Sequence, residues 1–191
     1  MMRAFFAVEL SPGAHETVAR GLGGLRRRLG QARWVRAEGL HITLRFLGEQ
    51  SGDLLEHVAA DAAAALAGEA PVEVALGGGG FFPHERRPRV AWLGGVAPGM
   101  ERWAAAIERC ATAAGLEPEP RAFTPHVTLA RLDRPWGAGE VETFRVAVGK
   151  WRLAPYTARE VVLFASDLRP AGAVYTAVRR LAVGGREGGP E

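Results

Sequence analysis

The stretch Leu40–Glu49, LHITLRFLGE, reads as a β-strand in which Ile42, Leu44 and Phe46 alternate with His41, Thr43 and Arg45. A strand with one buried face needs no histidine, so the polar row calls for a reason. One is offered at Phe123–Arg131, FTPHVTLAR, where His126-Val127-Thr128-Leu129 nearly repeats His41-Ile42-Thr43-Leu44, 85 positions later. Side chains two apart on a strand share a face. His41 therefore projects with Thr43 and His126 with Thr128, while Ile42, Leu44, Val127 and Leu129 turn to a core. A lone histidine on a half-buried strand is ordinarily structural, and threonine is a good strand former. Fold requirements alone do not repeat histidine, aliphatic, threonine and leucine in one order.

Outward from the two motifs the chain alternates strands with helices. Arg3–Val8 reads as a strand, and Ser11-Pro12 as the cap and first position of a helix toward Leu29. Arg33–Arg36 reads as a strand, and Ser51 opens an alanine-rich helix that closes near Gly68. Pro71–Leu76 and Val90–Leu93 read as strands, with Gly77–Gly80 between them as a flexible turn that lacks the Gly-Lys-Ser/Thr ending of a phosphate loop. Gly99–Gly115 is a helix with Met100, Trp103, Ile107 and Cys110 on its apolar face. Glu140–Val148 fits either a helix or a strand. Trp151–Tyr156, Val161–Ala165 and Val174–Ala182 read as strands, and the tail GGREGGPE as disordered. The pattern predicts an α+β protein, a single domain over residues 1–183 built from two similar lobes, each giving one histidine strand.

Composition narrows the class. The chain has 191 residues, 48% hydrophobic and 24% charged, in the range of an ordinary globular protein. Glu9 breaks the short apolar run of MMRAFFAVEL, which argues against a signal peptide or a membrane span. One cysteine, Cys110, excludes an internal disulfide and a zinc site built on several cysteines, in keeping with a cytoplasmic setting. The net charge is +3, and nearly every cation is an arginine, Lys150 being the only lysine. Arginine grips phosphate in a bidentate fashion, although a coding bias also inflates arginine, alanine and glycine together. Arg26–Arg28 and Arg86–Arg89 are solvated surface that could guide an RNA tail. His15, His57 and His84 read as surface residues and Cys110 as a packed one.

Two imidazoles and two hydroxyls facing each other suit in-line displacement at phosphorus. A neutral imidazole accepts a proton from the attacking oxygen and an imidazolium gives one to the leaving oxygen. The hydroxyls donate to the non-bridging oxygens as charge builds. No metal or other cofactor is required.

With these motifs in place the sequence resembles the two-histidine (2H) phosphoesterases, and within them the RNA 2',3'-cyclic phosphodiesterases, also called 2'-5' RNA ligases. Their paired His-x-Thr/Ser-x motif is matched by His41–Leu44 and His126–Leu129. RAFFAVEL, FFPHERRPRVAWLG and VVLFASDLRPAGAVYTAV agree around them. The resemblance implies a bilobal, pseudo-twofold fold with antiparallel sheets, helices outside and a central cleft. It implies hydrolysis of 2',3'-cyclic phosphate RNA ends, such as those of tRNA fragments, to 2'-phosphate ends, with 2'-5' ligation as the reverse. It makes His41 the general acid, His126 the general base, and Thr43 and Thr128 phosphate ligands. Arg131 matches the arginine closing the second motif. By parity it faces away from His126, five residues off, whereas Arg45 shares the face of His41 and is a second phosphate candidate. Phe123 is a candidate for stacking a terminal base; Phe46 has the same option but reads better as core. The expected state is a monomer without a protein or membrane partner.

Three other readings stay open. One is a phosphodiesterase for another small cyclic or 2'-5' linked nucleotide, and one is a non-catalytic RNA-binding module. The third, a metal protein using His41 and His126, lacks an Asp, Glu or Cys beside either histidine.

Overall fold

The computed structural model describes residues 1–169 and 172–184; the tail from residue 185 on lies outside them. Strand β1 (Met2–Glu9) leads into helix α1 (Pro12–Leu29), whose start is fixed by Ser11 Oγ accepting from the Ala14 N–H and by Pro12 in the first turn. Ala14, Val18, Leu22, Leu25 and Leu29 recur at helical spacing and form its buried stripe. A short strand β2 (Arg33–Trp34) and a 3₁₀ turn (Ala37–Gly39) precede β3 (His41–Gln50). Ser51 caps α2 (Gly52–Leu66) as Ser11 caps α1. Strands β4 (Val72–Phe82) and β5 (Val90–Val96), helix α3 (Met100–Ala113) and β6 (His126–Arg131) follow. Helix α4 (Ala138–Gly149) and strands β7 (Tyr156–Ala158), β8 (Glu160–Arg169) and β9 (Gly172–Ala182) complete the order.

The nine strands of the described residues form one antiparallel sheet in the order β7-β4-β5-β6-β3-β1-β8-β9, with β2 beside β6. The motif strands β3 and β6 are its two central members. They touch at one residue pair, Ile42 opposite Val127, and splay on either side of it. Each half repeats one plan. β1-α1-β3 and β5-α3-β6 are matching units, and β8 and β4 flank the outer side of β1 and β5 respectively. This is the α+β, bilobal architecture expected. Ile42, Leu44, Val127 and Leu129 enter the core under the helices, with Phe6, Trp103, Ile107 and Phe144. No helix among the described residues is long and apolar enough to cross a membrane.

Four expectations change. Gly77–Gly80 is not a turn: β4 runs through it to Phe82. Glycine is needed there for space, since a Cβ on Gly80 would stand 2.2 Å from the Trp92 ring, and one on Gly79 2.7 Å from Phe144. Gly80→Ala should therefore cost roughly 1–3 kcal/mol, read by denaturant unfolding, while Gly77→Ala, with nothing within 4 Å of its Cβ, stays near wild type. Equal stabilities for the two would refute this packing role. The ambiguous 140–148 segment is helix because Val141, Phe144 and Val148 form the buried face. Its start is tied by the Gly137 N–H donating to Glu140 at 2.9 Å. Residues 151–155 are not a strand. The Trp151 N–H still bonds back to Val148, and its indole lies against Gly21 of α1, where no side chain would fit. The 33–36 strand stops after Trp34 because β2 only fills the gap left beside β6 where β3 splays away.

Candidate active site

Both motif strands begin on their histidine. The antiparallel pair Ile42–Val127 sets His41 across from Thr128 and Thr43 across from His126, all four on the concave face. A cleft of about 1200 Å³ opens there, lined by His41, Thr43, His126, Thr128, Arg131 and Phe123 among others. Sequence repetition thus becomes spatial adjacency: two imidazoles and two hydroxyls converge around one point of the sheet. Among the described residues no three His, Cys, Asp or Glu side chains converge to hold a metal ion.

Each imidazole is anchored alike. His41 Nδ1 donates to the Gly39 carbonyl at 2.8 Å, and His126 Nδ1 donates to the Thr124 carbonyl at 2.7 Å. A carbonyl only accepts, so Nδ1 carries the proton in both rings and Nε2 is the unprotonated nitrogen of each neutral ring. His41 Nε2 lies 3.0 Å from Thr43 Oγ1, which donates to it while the ring is neutral. Burial lowers the His41 pKa from 6.5 to about 4. The Gly39 bond works against that shift, and the positive fields of His126 and Arg131 add to it. The cause is visible in its neighbours: the Phe5 ring stands 4.7 Å from His41, and Tyr175 meets it edge-on at 5.2 Å. Burial lowers His126 as well, opposed by the Thr124 bond and assisted by Arg131 and Arg121; Phe82 meets that ring edge-on at 4.9 Å.

The His41 shift has a consequence for stability. The unfolded chain binds a proton near pH 6.5 and the folded one only near 4. His41 therefore contributes its full share above pH 6.5, and that share is lost as pH falls from 6.5 to 4, about 3 kcal/mol in all. Unfolding free energies measured at pH 7 and pH 4 should show this difference shrink in His41→Phe. An unchanged pH dependence would argue against the buried neutral ring.

Strand parity fails at the same place in both motifs. Between β1 and β3 the register steps from Phe6–Arg45 to Ala7–Thr43 and leaves Leu44 as a bulge; between β5 and β6 it steps from Ala91–Ala130 to Trp92–Thr128 and leaves Leu129. A bulge inserts one residue and exchanges the faces beyond it. Arg45, expected beside His41, pairs with the core residue Phe6 and reaches toward α3, where its side chain still borders the cleft. There it is 8% exposed and paired with Glu108 at 2.5 Å. Phe46, expected in the core, pairs with Phe5 on the cleft face and is 41% exposed. Arg131, expected to face away, pairs with Val90 on the face of Trp92 and Thr128 and lines the cleft. Phe46 and Arg131 thus occupy matching places, one aromatic and one cationic. Phe123 is half-buried, with one side against the core and the other lining the cleft.

Sequence reasoning passes over several cleft residues. Phe5, Phe82 and Tyr175 surround the imidazoles, and Arg3 and Arg121 line the rim, as does Arg89 of the 86–89 group that the sequence offers as a guide for RNA. Phe5 is legible, since β1 parity opposes it to Phe6; Tyr175 lies on β9 and carries no local signal. His15, read as surface, is half-buried, its Nε2 2.9 Å from the Ala37 carbonyl of the turn before His41. His57 and His84 are exposed as expected, and Cys110 is half-buried on α3.

Known proteins share this fold. The family model of the 2'-5' RNA ligase superfamily matches residues 14–170. An RNA 2',3'-cyclic phosphodiesterase of Methanothermobacter thermautotrophicus is 33% identical over 184 residues, covering 92% of this chain and 95% of the relative. The crystal structure of TT0787 from Thermus thermophilus superposes with a TM-score of 0.78 at 27% identity, over 97% of this chain and all of that one. E. coli LigT complexed with 3'-AMP gives 0.70 at 26% identity, over 95% and 98% of the two chains. The chain belongs to the 2'-5' RNA ligase superfamily, the two-histidine phosphoesterases.

Proposed function

We propose that this enzyme is an RNA 2',3'-cyclic phosphodiesterase acting at RNA 3' ends. The observation that carries the reading is the duplicated site itself: two imidazoles, each fixed through Nδ1, with Nε2 directed to one cleft beside two threonines and Arg131. Water attacks phosphorus and gives its proton to His126 Nε2; the bond from phosphorus to O3' breaks, and O3' takes a proton from His41 Nε2. The product is a 2'-phosphate with a free 3'-hydroxyl. Thr43, Thr128 and Arg131 meet the charge that develops on the non-bridging oxygens. The division into acid and base follows the family resemblance, and reversal of these steps would join RNA ends through a 2'-5' bond.

His41 is neutral in the empty site at neutral pH, so the substrate must help to charge it. A phosphodiester anion beside the ring favours the imidazolium and raises its pKa on binding. Because kcat/KM reports the free enzyme and kcat the complex, the kcat/KM profile should be a bell with both limbs below the ordinary histidine value of 6.5. The kcat profile should lie at higher pH. Coincident profiles would contradict substrate-assisted protonation.

The cleft exceeds the roughly 300–1,000 Å³ of ordinary small-ligand pockets, which supports a strand end over a free nucleotide. Phe123 and the exposed Phe46 offer faces for bases. An assay with a strong chelator should show an oligonucleotide ending in a cyclic phosphate hydrolysed at a higher kcat/KM than the mononucleotide. Preference for the mononucleotide would favour a small-nucleotide enzyme, and loss of turnover with chelator a metal-dependent one.

A further inference from the structure

The segment 117–125, EPEPRAFTP, has neither helix nor strand, yet it supplies Arg121, Phe123 and Thr124 to the cleft. Pro118, Pro120 and Pro125 have no N–H to donate. Among the described residues the segment makes no backbone–backbone hydrogen bond outside regular elements. Three side chains tie its backbone to the rest of the protein. Arg45 Nη2 donates to the Glu117 carbonyl, the Glu119 N–H donates to Glu108 Oε1 at 3.0 Å, and His126 itself donates to the Thr124 carbonyl.

The first two ties are one unit. Arg45 Nε lies 2.5 Å from Glu108 Oε2 as an ion contact without the alignment of a hydrogen bond, and Arg45 Nη1 donates to the Phe46 carbonyl at 2.7 Å. A buried ion pair adds little stability over an apolar replacement, so its use lies in geometry. The opposite half is held differently. The Gly39 carbonyl that holds His41 sits in a turn closed by its own bonds, Gly39 N–H to Arg36 and Leu40 N–H to Ala37, with His15 of α1 meeting the Ala37 carbonyl at 2.9 Å.

We infer that Arg45 and Glu108 are positioning residues acting through His126: they hold the 117–125 segment so that the Thr124 carbonyl keeps the imidazole in its Nδ1–H form with Nε2 toward the cleft. This deepens the phosphodiesterase reading and rests on it for its kinetic readout alone. The pair touches no reacting atom in this account. It sets the direction of a group that does.

The test compares Arg45→Met with Glu108→Ala, the latter at a partly exposed helix position that leaves α3 intact should the buried substitution prevent folding. Nitrogen NMR titration of the two histidines is the direct readout. In each folded variant His126 should lose its fixed tautomer, and its pKa should fall further, because the Thr124 carbonyl favours the charged ring. His41 should titrate as before. Turnover of a cyclic-phosphate RNA end should drop about 10²-fold, with no further drop when either change is added to His126→Ala. An unchanged His126 tautomer and titration, or an equal disturbance of His41, would overturn the inference. If the wild-type protein hydrolyses no cyclic phosphate, the functional reading falls, while the NMR comparison still decides this one.

Discussion

His126→Ala should lower kcat on a cyclic-phosphate RNA end by about 10²–10⁴, the usual worth of one placed acid or base, and His41→Ala should do the same. The two losses should not multiply. In the proposed displacement both rings act in one step, so the double variant should be little worse than either single one. Both variants keep Ile42 and Val127 in their strand pair, and their thermal melting should report a folded protein. A single variant that turns over at near the wild-type rate would remove that histidine from the chemistry.

Arg131→Met should carry the next largest effect, a loss of roughly 10²–10³ in kcat, comparable to removal of one donor from a site that stabilises developing charge. Arg131→Lys should recover part of it, since it restores the charge without the fork. The pH profile supplies an independent sign. The field of Arg131 lowers both imidazoles, so its removal raises both and should move the kcat/KM optimum to higher pH in the methionine variant. An optimum that stays in place would separate Arg131 from the histidines.

Much of the site can be read from the residues because its chemistry is repeated. His41 with Thr43 and His126 with Thr128 share faces by simple strand parity, and the sheet sets them together through Ile42 and Val127. Beyond the motif leucines that reading ends. The bulges at Leu44 and Leu129 exchange faces for Arg45, Phe46 and Arg131. Nothing in the local sequence marks them, since each is defined by the partner strand. The glycine run misleads for a related reason: Gly79 and Gly80 are small because Phe144 and Trp92, distant in sequence, lie on them. Long-range packing also brings Tyr175 over His41 and so sets the acidity of a ring that its own strand leaves ordinary.

The central claim is water attack on a 2',3'-cyclic phosphate with departure of O3'. Hydrolysis of a cyclic-phosphate oligonucleotide in ¹⁸O-labelled water, followed by phosphorus NMR and mass spectrometry of the new end, tests it most directly. This account predicts a 2'-phosphate carrying one labelled oxygen, formed by the wild-type enzyme and not by either histidine variant; a 3'-phosphate, or an end without label, would contradict it.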